Sequence, residues 1–200
     1  MKAPQNTGGG FEIPEGTYTG VCIMVIDCGV HKIEFSGETS YKRQIYLRWE
    51  LPKVIIPEGD YQGERACVGR RYTFSMHKKA NLRRDLETWR GRPFTDEAAN
   101  QFDFDSLIGK SCTLQIFTND KGYSNINLIT PSSETIEPST RLIFDTENPY
   151  NYEELPEWVK KKINMPSETS RQAAHEYADV ISQQVAQEEE EDDFNDSIPF

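Results

Sequence analysis

The sequence predicts a mainly β fold, a small barrel of five strands with a helical insert, and three observations lead to this prediction. Apolar and polar residues alternate along several segments, which is the pattern of half-buried strands. Between the third and fourth of these segments the apolar spacing becomes helical. Beyond residue 131 the composition turns polar and acidic, so we expect the barrel to end there.

The first two predicted strands differ in how regular they are. Residues 16–30 form a long, β-branched stretch, and we expect Gly29 to end it. Residues 41–52 alternate regularly, and Pro52 is expected to end this strand or to place it at an edge. The apolar face of the second strand consists of Ile45, Leu47, Trp49 and Leu51.

The third strand is predicted over residues 65–77, and a helix follows it over residues 81–91. The helix is indicated by an apolar stripe at i, i+4 and i+7. Asn81 is expected to be its N-cap and Gly91 its end. The residues of this stripe are Leu82, Leu86 and Trp89.

Two more strands complete the predicted barrel. Residues 94–110 come first and are expected to form one or two short helical turns, capped by Thr95 or Asp96. A turn rich in Asn, Asp and Gly then joins the fourth and fifth strands as a hairpin. These strands and their turn occupy residues 111–118, 123–130 and 119–122.

Three strands, a helical insert and two more strands is the order of the OB-fold, a five-stranded Greek-key barrel. Other small β-barrels share this order and stay open as alternatives. We assign residues 1–131 to the OB-fold domain and residues 132–187 to a linker with a short helical extension over 152–163. Residues 188–200 are expected to form a disordered acidic tail.

Charge is distributed unevenly along the chain, although the net charge is −11. Residues 1–130 hold 17 Lys and Arg against 16 Asp and Glu, whereas residues 131–200 hold 5 against 17. Within the first part, residues 65–92 hold nine basic residues and only two acidic ones. A basic body with an acidic appendage is typical of a nucleic-acid-binding protein that carries a separate interaction tail.

The acidic tail ends in an apolar tripeptide, Ile198-Pro199-Phe200. A terminal Phe can fill an apolar pocket while its carboxylate meets an Arg or Lys at the rim, which is a recurring recognition mode. Pro199 restricts the backbone and so lowers the entropy lost on docking. Asp192, Asp193 and Asp196 would steer the tip toward a basic partner.

This tip resembles that of bacterial single-stranded DNA-binding proteins, in which an acidic run closes with three aspartates and Ile-Pro-Phe. Asp196 and the tripeptide match, whereas Ser197 stands where that family has its last Asp. The body, through "SMHKKANLRRDLETWRG" and "LPEWVKKKI", looks more like the phage-encoded proteins of this type. The resemblance implies an OB-fold protein that coats single-stranded DNA with little sequence preference. It also implies recruitment of replication, recombination and repair enzymes through the tip.

OB-folds that bind single strands stack bases on exposed aromatic rings and hold phosphates with Lys and Arg. Strand parity and sequence position therefore nominate a set of contact residues. They lie on the non-core faces of the strands, just past the third strand, and on the helix of the insert. The candidates are Lys42, Tyr46, Arg48, Arg71, His77, Lys78, Lys79, Arg83, Arg84, Phe117 and Tyr123.

Other functions were weighed against DNA binding. The sequence has no phosphate-cradling glycine loop, no HExxH and no nucleophile motif, so we expect that it is not an enzyme. The nearest enzymatic alternative is a metal nuclease built on the carboxylates of residues 96–105. An interaction protein that mimics the tip without binding DNA, and an RNA-binding barrel, stay open. The oligomeric state is also open, with a homodimer among the options.

Metals and membranes are not expected to take part. The four cysteines include no CxxC pair, and we expect them to be reduced thiols in or near strands, although Cys22, Cys28 and His31 could approach a metal. We therefore expect no metal and no cofactor. No apolar segment approaches the roughly 18 to 20 residues of a membrane span, and the N-terminus lacks the apolar stretch of a signal peptide. These features predict a cytoplasmic protein, in the bacterial host if it is phage-encoded.

Overall fold

The computed structural model describes residues 11–35 and 38–165. It contains one six-stranded sheet and a few short helices, which confirms that the fold is mainly β. The strands are β1 Gly16–Phe35, β2 Glu38–Ile55, β3 Arg65–Thr73, β4 Ser111–Thr118, β5 Ser124–Pro131 and β6 Leu142–Phe144. The helices are α1 Asn81–Arg90, α2 Asp96–Asn100 and α3 Glu157–Lys160, with 3₁₀ turns at Phe104–Leu107 and Tyr152–Glu154.

The strands follow the order β3-β2-β1-β4-β5 and pair antiparallel, while β6 pairs parallel with β1. β1 is long enough to pair with β4 near its start and with β2 beyond it. No ladder of hydrogen bonds joins β3 to β5 in the described ranges, so the sheet is not closed there. Arg70 spans this seam, because its Nη1 donates to the Ile126 carbonyl (3.3 Å) and lies 3.0 Å from Asp85.

The main core lies on the inner face of the sheet and is closed by α1. Trp49 of β2 is fully buried and meets Trp89 of α1 edge-on, with 5.7 Å between ring centroids. The Trp89 indole nitrogen donates to the Ser111 carbonyl at 2.9 Å, which ties the helix to β4. Leu82, Leu86 and Trp89 are all buried, so the helical stripe faces the core as predicted.

A second apolar cluster lies on the outer face of β1 and is covered by residues 132–165, called here the strap. Phe144, Leu155 and Val159 of the strap are buried against Ile23, Ile26 and other residues of β1. Although the composition changes after residue 131, the chain beyond it still packs against the sheet through this second cluster. The strap also covers part of the outer face of β2.

Two buried carboxylates of the sheet hold the strap in place. Asp27 of β1 accepts from the Thr146 backbone and hydroxyl and pairs with Arg43 at 2.9 Å. Although burial raises the pKa of Asp27, the hydrogen bonds from Arg43 and Thr146 hold it below its ordinary value. Glu50 of β2 accepts from the Ser139 backbone nitrogen at 3.0 Å.

Gly29 does not end the first strand, so that prediction was wrong. β1 continues to Phe35, and Gly29 lies at a bulge with φ 72°. A Cβ at this position would overlap the carbonyl oxygen of Asn164, whose backbone nitrogen donates to the Cys28 carbonyl at 2.8 Å. The glycine therefore makes room for the end of the strap and does not stop the strand.

Several element boundaries also differ from the predictions. β2 continues through Pro52 to Ile55, past an irregularity in its pairing with β3. β3 ends at Thr73, before the predicted residue 77. The helix predicted over 152–163 is interrupted by Pro156, which stands at the N-cap of α3.

The caps of the insert agree with the predictions at Gly91 and Thr95 but not at the start of α1. Ala80, and not Asn81, is the N-cap of α1, and its side chain gives no cap hydrogen bond. Gly91 ends α1 with φ 70°, as predicted. Thr95 caps α2 by accepting from the Ala98 backbone nitrogen.

In the described parts of the chain, no helix is long and apolar enough to cross a lipid bilayer.

Candidate nucleic-acid interface

Strand register brings three of the nominated residues together on the outer face of the sheet. Tyr46 of β2 is paired with Arg71 of β3, and Arg48 is paired with Gly69. Residues that alternate along a strand point to the same face, so Tyr46 and Arg48 share the face that Arg71 occupies next to them. The alternation in the sequence predicted that Tyr46 and Arg48 share a face, and the pairing of β2 with β3 adds Arg71.

The strap adds two side chains to this face. The Arg48 guanidinium lies over the Trp158 ring, 4.4 Å from its centroid. The Lys162 ammonium lies 4.8 Å from the Tyr46 centroid and 5.8 Å from that of Trp158. The two rings meet edge-on at 6.4 Å. We call Tyr46, Arg48, Arg71, Trp158 and Lys162 the cation–aromatic cluster.

Gly69 lets the cluster pack closely against β3. A Cβ on Gly69 would overlap the hydroxyl end of Tyr46, so the Tyr46 ring lies directly over the β3 backbone. Tyr46 is half-buried, and burial raises its pKa. Because the Trp158 edge and the Lys162 ammonium both lie against it, Tyr46 forms one aromatic surface together with Trp158.

The cations of the cluster have no carboxylate partner among the residues that the structure describes. Within residues 11–35 and 38–165, neither Arg48, Arg71 nor Lys162 forms an ion pair. Arg71 instead donates to Gln44 Oε1 (3.0 Å) and to the Lys162 carbonyl (3.2 Å). Burial, followed by the charges of Arg71 and Arg48, lowers the pKa of Lys162.

Other nominated residues lie beyond the cluster. Lys42 is exposed on β2, paired with His31 of β1. His77 and Lys79 are exposed past the end of β3, where His77 Nδ1 accepts from the Lys79 backbone nitrogen at 3.3 Å. Lys78 pairs with Asp96 at 3.0 Å. Lys42, His77 and Lys79 are therefore exposed side chains outside the cluster, whereas Lys78 is compensated by Asp96.

Arg83 is placed differently from the other basic candidates. It is buried, with 6% of its surface exposed. Its guanidinium pairs with Glu87 and Asp96, each at 3.0 Å, and donates to the Met76 and Phe94 carbonyls at 3.2 and 2.9 Å. These partners fix the chain around α1, so we leave Arg83 out of the candidate interface. Arg84, its neighbour, is exposed and lies 3.5 Å from Asp85.

The two remaining aromatic candidates lie on the other side of β1 in the strand order. Phe117 of β4 and Tyr123, just before β5, are 40% and 61% exposed. The turn between them is held by Asn119, whose side-chain oxygen accepts from the backbone nitrogens of Lys121 and Tyr123, each at 3.0 Å. Both rings are accessible, but they belong to a different strand pair from the cluster.

Sequence reasoning missed Trp158 and Lys162 as site residues. Both residues lie in the short helical extension predicted over 152–163, and neither is among the candidate contact residues. A signal was present in "EWVKKK", because an aromatic residue next to several lysines is the composition of a single-strand interface. Only the packing of the strap shows that these residues face β2. The predicted tip residues, 192–200, lie outside the described residues.

The cysteines give no sign of reactive chemistry. Burial raises the pKa of Cys22 to about 12 and that of Cys28 to about 11. His31 Nε2 lies 2.9 Å from the Cys28 carbonyl oxygen. In the part of the chain that the structure describes, no three His, Cys, Asp or Glu side chains are grouped so that they could hold a metal ion.

Comparisons of the chain with models of known protein families, with curated proteins and with solved structures give no match.

Proposed function

We propose that this protein binds single-stranded DNA with little sequence preference and recruits DNA-processing enzymes through its acidic C-terminal segment. The observation that carries the proposal is the cation–aromatic cluster on the outer face of β2 and β3. Its three cations are without ion-pair partners in the described ranges, and its two rings lie among them. Aromatic rings interleaved with cations are the chemistry of a single-strand interface.

The strand order supports an OB-fold for the body. Three meandering strands are followed by a helical insert and a β4–β5 hairpin, with β4 paired to β1. OB-folds are partly open five-stranded barrels, and they bind oligonucleotides across the face of strands 2 and 3. The cation–aromatic cluster lies on the outer face of the paired strands β2 and β3, which supports this comparison. The strap and its strand β6 are then additions to this fold.

The cluster suggests how an unpaired strand would be held. Bases stack on aromatic faces, with roughly 1–3 kcal/mol per stacked base, and every base offers such a face. Phosphates lie along the cations, which makes the affinity fall steeply as salt is raised. Stacking and charge carry little sequence information, so we expect weak base preference. Lys42, His77 and Lys79 would extend the path of the backbone.

The acidic segment supplies the second half of the proposal. Its apolar tripeptide, residues 198–200, would fill a pocket on a partner enzyme while the carboxylate meets a basic rim. Asp192, Asp193 and Asp196 would raise the rate of association with basic partners. This half of the proposal rests on the sequence alone.

Fluorescence anisotropy with a labelled oligo-dT tests the proposal, with a duplex and an oligo-U of equal length as comparisons. At low salt we expect the oligo-dT to bind much more tightly than the duplex. Arg71→Ala and Lys162→Ala should each weaken binding by about tenfold and lower the salt slope by about one phosphate contact.

Lys53→Ala is the matched control, because Lys53 is exposed on the same strand as Arg48 but pairs with Glu134 at 3.1 Å away from the cluster. The affinity of Lys53→Ala for oligo-dT should equal that of the wild type. Failure of the wild type to bind oligo-dT even at low salt would remove the proposal. Tighter binding of oligo-U than of oligo-dT would change the proposed ligand from single-stranded DNA to RNA.

A further inference from the structure

Three cations from three separate elements converge in the cluster. Arg48 comes from β2, Arg71 from β3, and Lys162 follows α3 in the strap. Chain folding rarely gathers like charges without a counter-charge, because their repulsion opposes folding. The strap nevertheless holds Lys162 next to both arginines, and within residues 11–35 and 38–165 none of the three cations forms an ion pair.

We propose that Arg48, Arg71 and Lys162 form a single phosphate-binding subsite, in which Lys162 takes up a proton as the phosphate binds. The proposal rests on the DNA-binding function proposed above and specifies how that site is regulated. The shared ligand chemistry is the phosphate group, whether it belongs to a nucleic-acid backbone or is free in solution.

The geometry is already organised for an anion. Arg71 is oriented by its hydrogen bonds to Gln44 and to the Lys162 carbonyl, so one element fixes the donors of another. Arg48 is held against the Trp158 ring. Donors that are positioned before binding lose less entropy when the anion arrives.

Lys162 is the member of the cluster whose protonation can change. Its neighbours are Arg71 from β3, Arg48 and Tyr46 from β2, Cys28 from β1, and the Trp158 ring from the strap itself. Burial and the two arginines lower its pKa from the ordinary value of 10.5, and no carboxylate is among the groups that act on it. A bound phosphate would supply negative charge and raise this pKa again.

The sign of the pH dependence follows from this linkage. Below the pKa of free Lys162 the ammonium is already charged, and the phosphate binds with full affinity. As the pH rises through that lowered pKa, a proton must be taken up on binding, and the affinity falls. Because both arginines stay charged over this range, they cannot produce the same decline.

The test compares wild type with Lys162→Arg and Lys162→Gln, each as the full chain, from about pH 7 to about pH 10. Arg keeps its charge throughout, whereas Gln never carries one. Oligo-dT is followed by anisotropy, and inorganic phosphate by Trp fluorescence and calorimetry. Thermal unfolding at each pH ensures that all three proteins are folded.

We expect the oligo-dT affinity of the wild type to fall more steeply than that of Lys162→Arg toward the upper end of this range, with about tenfold as the limit for complete loss of one phosphate contact. Lys162→Gln should be weak at every pH. Parallel profiles for wild type and Lys162→Arg would overturn the proton-uptake proposal.

The phosphate arm separates the two proposals. If oligo-dT fails to bind any of the proteins, the DNA-binding function is overturned. In that case the binding of inorganic phosphate to the three proteins tests the subsite independently of DNA. Binding that is lost in Lys162→Gln and kept in Lys162→Arg supports the subsite, and binding that is equal in all three proteins overturns it.

Discussion

Arg71 and Arg83 belong to the same basic stretch of the sequence, residues 65–92, but the fold uses them differently. Arg83 is buried, and its guanidinium is satisfied by two carboxylates and two carbonyls. Arg71 is exposed on the outer face of β3 and has no carboxylate partner in the described ranges. A count of basic residues therefore does not locate a nucleic-acid site, because cations that stabilise the fold are counted together with those that are free to bind.

The largest expected effect is a loss of stability when Arg83, the buried arginine of the two, is replaced. Arg83→Met would leave Glu87 and Asp96 without their shared cation and two carbonyls without a donor. Glu87 and Asp96 are partly exposed and stay hydrated, but each carbonyl left without its donor costs about 1–3 kcal/mol of unfolding free energy, measured by urea denaturation. DNA affinity of the protein that stays folded should not change. A stable Arg83→Met protein with weakened DNA binding would reverse the roles assigned to the two arginines.

A smaller effect is expected where the strap meets β1. Gly29→Ala places a side chain at φ 72° and against the Asn164 carbonyl, so both backbone strain and a steric clash oppose folding. We expect about 2 kcal/mol of destabilisation by thermal unfolding, with faster hydrogen exchange in the strap.

Gly59→Ala is the matched control for this substitution. Its φ is 91°, but nothing lies within 4 Å of the position that a Cβ would take. It should therefore show the cost of the backbone conformation alone. Equal destabilisation by the two substitutions would mean that contact with the strap contributes nothing at Gly29.

Trp158→Leu tests whether the cation–aromatic cluster binds DNA. It keeps an apolar side chain on the strap but removes the ring that lies under Arg48 and beside Tyr46. Loss of one stacking platform should weaken oligo-dT binding by roughly 1–3 kcal/mol, measured by anisotropy. Tyr150→Leu is the control, because Tyr150 is an 81% exposed aromatic residue of the same strap. If both substitutions weaken binding equally, the cluster has no special role.

The smallest effect concerns acid stability. The pKa of Asp27 is lowered in the folded protein, so its contribution to stability is present above the unfolded-state value of about 4 and is lost as the pH falls through the folded-state pKa. Urea midpoints should therefore decline more steeply with acid in the wild type than in Asp27→Asn. Curves of equal slope would mean that the Asp27 carboxylate contributes nothing to holding the strap.

Strand patterns predicted much of the fold because they depend on local periodicity. The buried face of β2, the stripe of α1 and the cap at Gly91 all follow from residues a few positions apart. The prediction that Gly29 ends β1 was wrong because the role of this glycine depends on Asn164, which is 135 residues away along the chain. Trp158 and Lys162 were missed for the same reason, since a short segment after residue 131 does not show which strand it will cover.

The sequence by itself determined that this chain forms β-strands with a helical insert, and that Tyr46 and Arg48 share one face. These features follow from the two-residue period of a strand and the 3.6-residue period of a helix, which are properties of neighbouring residues. Only the tertiary structure decided which cations have no ion-pair partner within the described part of the chain. Ion pairs form between residues that are distant in sequence, so the availability of Arg48 and Arg71 depends on how β2, β3 and the strap pack together.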